Sequence, residues 1–147
     1  QNLLRFRQDV INLKPTVVVL MIGINDIAEN TGTYNEDNTM NHIAAMAEMA
    51  RGNGIRMVLS SVMPAYDFPW RPGMAPASKV ISLNKRIRAY AETKGLVYVD
   101  YHQAMADERQ GLPKKYSDDG VHPNLAGYRI MEPLVEKAIT EALKRKP

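Results

Sequence analysis

Residues 16–22, read Thr-Val-Val-Val-Leu-Met-Ile, do most to limit what this chain can fold into. The run is continuous, apolar and mostly β-branched, and it is closed off by Pro15 before and Gly23 after. A run of this kind fits a strand buried on both faces, as inside a parallel sheet. It is far too short to span a bilayer, which takes about 20 apolar residues. Two further runs, 55–61 and 96–100, also read as strands. Helical spacing fills the gaps between them. Leu3, Leu4, Phe6, Val10, Ile11 and Leu13 predict a first helix that stops at Lys14-Pro15. Ile43, Met46, Ala47, Met49 and Ala50 predict a second over 36–51, ended by Gly52-Asn53-Gly54. Val80, Ile81, Ile87, Tyr90 and Ala91 predict a third over 78–94, ended by Gly95. A short helical stretch is expected at 102–110. A closing helix is expected from 123 to about 144, kinked at Pro133.

Strands that alternate with helices and connect by right-handed crossovers give an α/β fold, a three-layer α/β/α parallel sheet. The 147 residues amount to one domain, and 45% hydrophobic content is enough to build its core. The chain has no cysteine, which excludes disulfides and thiolate catalysis. Net charge is +3, but Arg5 and Arg7, Lys85, Arg86 and Arg88, Lys114 and Lys115, and Lys144 and Lys146 lie in separate segments. With two Phe and one Trp there is no aromatic interleaving for base stacking, so no nucleic-acid partner is expected.

In open parallel sheets function collects at the carboxyl ends of the strands. Three segments fall there: Gly23-Ile24-Asn25-Asp26, Ser60–Tyr66 leading into the loop 63–77, and Asp100–His102. The loop carries Pro64, Tyr66, Phe68, Pro69, Trp70, Pro72 and Pro76, and its length suits a lid or a binding wall. Trp70 and Phe68 are candidates for a wall against an acyl or sugar group, or for rings that anchor the loop on the core. The loop before the last helix, Tyr116-Ser117-Asp118-Asp119-Gly120-Val121-His122-Pro123-Asn124, can fold over the same edge. Asp119 is placed to accept the Nδ1 proton of His122 across a turn that Gly120 loosens. That pair is two thirds of a nucleophilic triad. The competing reading is a capping turn in which Asp118 or Asp119 satisfies backbone donors. Asn25 sits where a side-chain amide can point at a developing oxyanion, its alternative being an Asx turn. Gly23 is expected to supply a special backbone conformation, and Asp26 to brace the loop. His102 and His42 lack ligand spacing such as His-x-x-x-His, so no metal is expected.

Gly23-Ile24-Asn25-Asp26 and Asp119-Gly120-Val121-His122-Pro123 resemble the third and fifth sequence blocks of the SGNH (GDSL-like) hydrolases, in the same order and at a similar separation. The resemblance extends over essentially the whole chain and implies a flavodoxin-like SGNH hydrolase fold. It also implies a serine ester hydrolase without cofactor. In that scheme His122 is the general base, Asp119 the orienting acid and Asn25 an oxyanion-hole donor. Small acyl esters are the implied substrates, with acetylated carbohydrates preferred, and a periplasmic or secreted location is implied.

One departure matters. The family's first block, Gly-Asp-Ser, carries the nucleophile, and neither it nor the second block is present. The five serines, Ser60, Ser61, Ser78, Ser82 and Ser117, sit in no Gly-x-Ser-x-Gly turn. The expectation is therefore that residues 1–147 are the C-terminal portion of a single SGNH hydrolase domain, with the first strands missing from this chain. Strand 16–22 would then be an edge, open to pairing with the protein's own N-terminal segment or with a second copy. Two rivals remain. One is a non-catalytic binding module on the same scaffold. The other is a phosphate-handling signalling domain, which would need an acidic cluster with a Lys at the strand ends or a Gly-rich phosphate loop, and neither is present.

Overall fold

A computed structural model describes all 147 residues. Strands β1 (Val17–Leu20), β2 (Arg56–Ser60) and β3 (Val97–Val99) form one parallel sheet in the order β1-β2-β3. Val17 stands opposite Arg56 and Leu20 opposite Leu59, while Val58 pairs with Val97 and Ser60 with Val99. Because side chains alternate across a strand, this register sorts the apolar residues into two cores. Val18, Leu20, Met57 and Leu59 pack with Phe6 of helix α1 (Asn2–Asp9), Ile43 and Met46 of α3 (Glu36–Gly52), and Leu83 and Ile87 of α4 (Ala77–Lys94). Val17, Val19, Val58, Val97 and Val99 face Met105 of α5 (Tyr101–Met105) and Met131, Ala138 and Ala142 of α6 (Leu125–Lys144). The result is the expected three layers, helices on both sides of a parallel sheet.

Local chemistry sets the helix limits. Asn35 caps α3 by accepting the Asn38 N–H at 2.9 Å, and Glu36 and Asp37 follow in the first turn, where the helix dipole favours negative charge. Gly95, in the left-handed region at φ +68°, ends α4. Asn124 rather than Pro123 starts α6, its Oδ1 accepting the Gly127 N–H at 3.1 Å, and the helix continues through Pro133.

Four differences from the sequence-based reading have physical causes. The strand of residues 16–22 is not buried on both faces. All four residues of β1 are half-buried: both β1 and β3 are edge strands, but β3 is covered by α4 and α6 and β1 is covered less completely. The first helix ends at Asp9, and residues Ile11–Leu13 form a 3₁₀ turn closed by Lys14 in the left-handed region. The stretch 102–110 is helical only to Met105, because the Asp107 carboxylate takes the N–H groups of Arg109 and Gly111 and turns the chain. A one-turn helix, α2 (Ile24–Ile27), follows β1 directly. No helix is long and apolar enough to cross a membrane.

Candidate active site

Three segments at the carboxyl end of the sheet carry the candidate residues. The first is the loop ahead of α6. It is pinched at its base by a bridge between Ser117 and Pro123 and by the Asn124 N–H donating to the Tyr116 carbonyl at 2.8 Å. Gly120, at φ +79°, turns the chain so that residues 119 and 122 face each other. The Asp119 carboxylate then does two jobs with its two oxygens. Oδ2 lies 2.7 Å from His122 Nδ1. Oδ1 accepts the N–H of His122 at 2.8 Å, the N–H of Val121 at 2.9 Å and the Ser117 hydroxyl at 3.1 Å. The turn-capping reading and the histidine-orienting reading are thus both realised, on different oxygens of one residue.

This network sets the electrostatics. Burial alone would raise the Asp119 pKa. The hydrogen bonds from the His122 N–H and ring, the Val121 N–H and the Ser117 hydroxyl outweigh that and hold it well below the usual carboxylate range. An ionised Asp119 at Nδ1 fixes the tautomer with the proton on that nitrogen and leaves the Nε2 lone pair unshared. The His122 side chain is 73% exposed, so nothing in the chain covers it completely.

The second segment joins β1 to α2. Gly23 has φ +121°, and a Cβ there would lie 2.8 Å from Leu83 Cδ2 and 2.9 Å from Val62 Cγ2. Only glycine satisfies both the dihedral and the close packing. The turn delivers Asn25 at the strand end with an oriented amide, because Asn25 Oδ1 accepts from Asn30 Nδ2 at 3.1 Å. Its own Nδ2 donors remain free. Asp26 lies in the first turn of α2 and borders a shallow cleft that His42 also lines.

The third segment is the loop after β2. Phe68 is fully buried and stacks on Trp70, with ring centres 5.3 Å apart. The half-exposed Trp70 in turn leans toward His122, with centres 6.0 Å apart at 34°. Of the two rings, Trp70 offers the surface beside the imidazole and Phe68 anchors it. The loop is braced internally and externally. Asp67 Oδ1 accepts the N–H groups of Phe68 and Gly73, and these bonds hold its pKa below the ordinary value against the opposing effect of burial. Arg71 donates to the Ala28 carbonyl at 2.9 Å and pairs with Glu29 at 3.1 Å, tying the loop to α2.

Most of the other polar residues near the sheet have partners of their own. Ser60 Oγ donates to the Leu20 carbonyl, Ser61 Oγ accepts the His102 N–H, and Ser82 Oγ donates to Glu36. Asp100 caps α5 through Gln103 N–H and pairs with Arg88. The His102 Nε2 is buried without a partner, and burial pushes its pKa down, with Asp100 opposing. Reading the sequence missed Ser117 as a positioning residue for Asp119, Asn30 as the group that orients Asn25, and Arg71 as the strut. Ser117-x-Asp119 carries a faint signal, a hydroxyl two residues from a carboxylate in a turn. The other two depend on contacts that no spacing announces.

With this geometry established, comparison with known proteins is informative. Residues 1–130 match the GDSL-like lipase/acylhydrolase family. A GDSL-like lipase from Bacteroides thetaiotaomicron is 51% identical, with 95% of this chain and 69% of that chain covered and a TM-score of 0.92. A putative acylhydrolase from Bacteroides fragilis is 45% identical, with 96% and 69% covered and the same TM-score of 0.92. A mutant of an acetyl-xylooligosaccharide esterase from Geobacillus Stearmophilus shares the fold at 20% identity, with 94% and 65% covered and a TM-score of 0.75. No curated protein matches the chain.

Proposed function

The chain belongs to the GDSL-like lipase/acylhydrolase family of hydrolases, and from that premise we propose that it carries the base, the orienting acid and one oxyanion donor of a serine esterase. The observation that carries the reading is the 2.7 Å contact between Asp119 Oδ2 and His122 Nδ1, made by a carboxylate whose other oxygen is saturated with donors. The nucleophilic serine comes from residues outside this chain, since Ser60, Ser61, Ser82 and Ser117 are engaged elsewhere and Ser78 is an exposed residue in the first turn of α4. Residues 1–147 are in this reading the C-terminal portion of one hydrolase domain, and the open side of β1 takes the protein's own N-terminal segment or a second copy.

The reaction then follows from the geometry. His122 Nε2 removes the proton from the serine hydroxyl as its oxygen attacks the ester carbonyl. Ionised Asp119 stabilises the resulting imidazolium. The Asn25 Nδ2 donors, with backbone N–H groups, hold the oxyanion. The imidazolium returns its proton to the departing alcohol, and water repeats the sequence to release the acid. Small acyl esters are the substrates. The acetyl-xylooligosaccharide esterase of the same fold supports acetylated carbohydrates as the preferred class.

The test uses the intact protein and p-nitrophenyl acetate. His122→Ala should abolish turnover by at least about 10³-fold, and Asn25→Ala should lower kcat by about 10²–10³-fold. A folded His122→Ala protein with normal turnover overturns the assignment, and so does an intact native protein in which no serine precedes these residues, which would favour a binding module.

A further inference from the structure

A cavity of about 250 Å³ opens beside the turn that carries His122. Asp119 and Gly120 form one side of it, and Tyr66, Phe68 and Arg109 line the rest above a floor at Leu112. Arg109 and Leu112 had no place in the site as read from the sequence, and Tyr66 entered it only as one of the residues of the loop 63–77. Tyr66 is half-exposed, and the Arg109 guanidinium lies 4.7 Å from the centre of its ring. Arg109 meets a single carboxylate, Asp107, at a loose 3.7 Å, and its side chain is 68% exposed, so its donors are largely unspent.

The geometry points to a sugar-binding subsite in this cavity, with Tyr66 supplying the apolar ring surface and Arg109 the donors to substrate hydroxyls. The inference rests on the esterase reading and sharpens it, by naming where the alcohol portion of the ester sits. Three observations select a sugar. The volume lies below the ~300–1,000 Å³ of sites for drug-sized ligands, so it suits one ring and not an extended chain. The lining mixes aromatic rings with charged groups. A fatty acyl chain would strip water from Asp67, Arg109 and Asp119 without replacing their hydrogen bonds, whereas a polyol replaces them. Tyr66 is also held in place. A Cβ at residue 111 would lie 2.8 Å from Tyr66 Cβ, so Gly111 permits the loop after α5 to close against it. Asp67 meanwhile binds the backbone of the adjoining turn. A wall fixed before the ligand arrives loses little freedom on binding.

The test compares two esters on the intact protein, a monoacetylated methyl xylopyranoside and p-nitrophenyl acetate, which lacks the sugar ring. The readout is the ratio of their kcat/KM values. In Arg109→Gln and in Tyr66→Ala the ratio should fall about 10-fold or more, mostly through KM for the sugar ester. Tyr66→Phe, which keeps the ring, should hold it within about 3-fold of the parent, since a ~0.6 kcal/mol change is the most it should make. A ratio that stays at the parental value in Arg109→Gln overturns the subsite, and that surface variant decides the matter even if Tyr66→Ala fails to fold. A parent that hydrolyses p-nitrophenyl acetate but no sugar acetate overturns the subsite and leaves the esterase reading standing. A parent that hydrolyses neither overturns both.

Discussion

Asp119 shows how one side chain can hold a turn and an imidazole together. Its Oδ1 organises the backbone and its Oδ2 organises the imidazole, so neither function can be removed without disturbing the other. The lowered pKa ties the arrangement to pH. The folded value lies below the unfolded value of about 3.9, so at acid pH the unfolded chain takes up this proton first. Stability from Asp119 is therefore complete above about pH 5 and is lost as pH falls through and below the unfolded value. Asp119→Asn keeps an acceptor oxygen but carries no charge. The stability gap between parent and Asp119→Asn in urea denaturation should be largest near pH 6 and should shrink toward pH 3, values set by the ordinary carboxylate range of about 4. An equal gap at both pH values would show that the charge does not contribute.

At the scale of elements, the junction between β1 and α2 is the most exacting. Strand, turn and helix meet within residues 20–24, and the turn works only because residue 23 has no Cβ. Gly23→Ala places a methyl group within 2.9 Å of Leu83 and Val62 at φ +121°. The cost should be about 2–4 kcal/mol of stability, read by chemical denaturation. A loss under about 0.5 kcal/mol would mean that α4 yields easily and that Asn25 is not held rigidly. This junction also marks how far sequence could be read. Gly23 announced itself through its place between a buried run and Asn25, as did the Asp119 to His122 spacing, because both signals are local. The parallel sheet and its two helix layers followed from the alternation of strands with helices, whereas the order β1-β2-β3 is known only from the fold. What remained hidden was long-range. Arg71 reaches Ala28 and Glu29 across 43 and 42 residues, and Arg109 meets Tyr66 only after two loops have been brought together by the fold. The end of α5 was also misjudged, since the helical pattern through residue 110 was overridden by the Asp107 carboxylate competing for backbone donors.

For the molecule as a whole, the decisive feature is that its most apolar strand is its least protected. β1 supplied the strongest signal of a strand buried on both faces, and in the fold it is half-buried with one side of its ladder unpaired. Met21, directly after β1, is 45% exposed, and Leu4 and Leu13, which precede the strand in the chain, are exposed at 88% and 73%. An apolar strand without the charges or prolines that usually protect an edge is a template for another strand. The sequence pattern and the burial pattern therefore disagree in a way that one added strand would reconcile, covering the outer side of β1 and the apolar residues around it. This predicts that the 147-residue chain expressed alone does not persist as a stable monomer. Size-exclusion chromatography with native mass spectrometry should find dimers or larger species. Val18→Lys, which puts a charge on β1, should weaken that association, with its helical circular dichroism checking that the fold survives. A monodisperse, soluble monomer of the unmodified chain at concentrations of about 100 μM, well above the ~1 μM dissociation constant of even a modest specific interface, would show that this edge needs no partner.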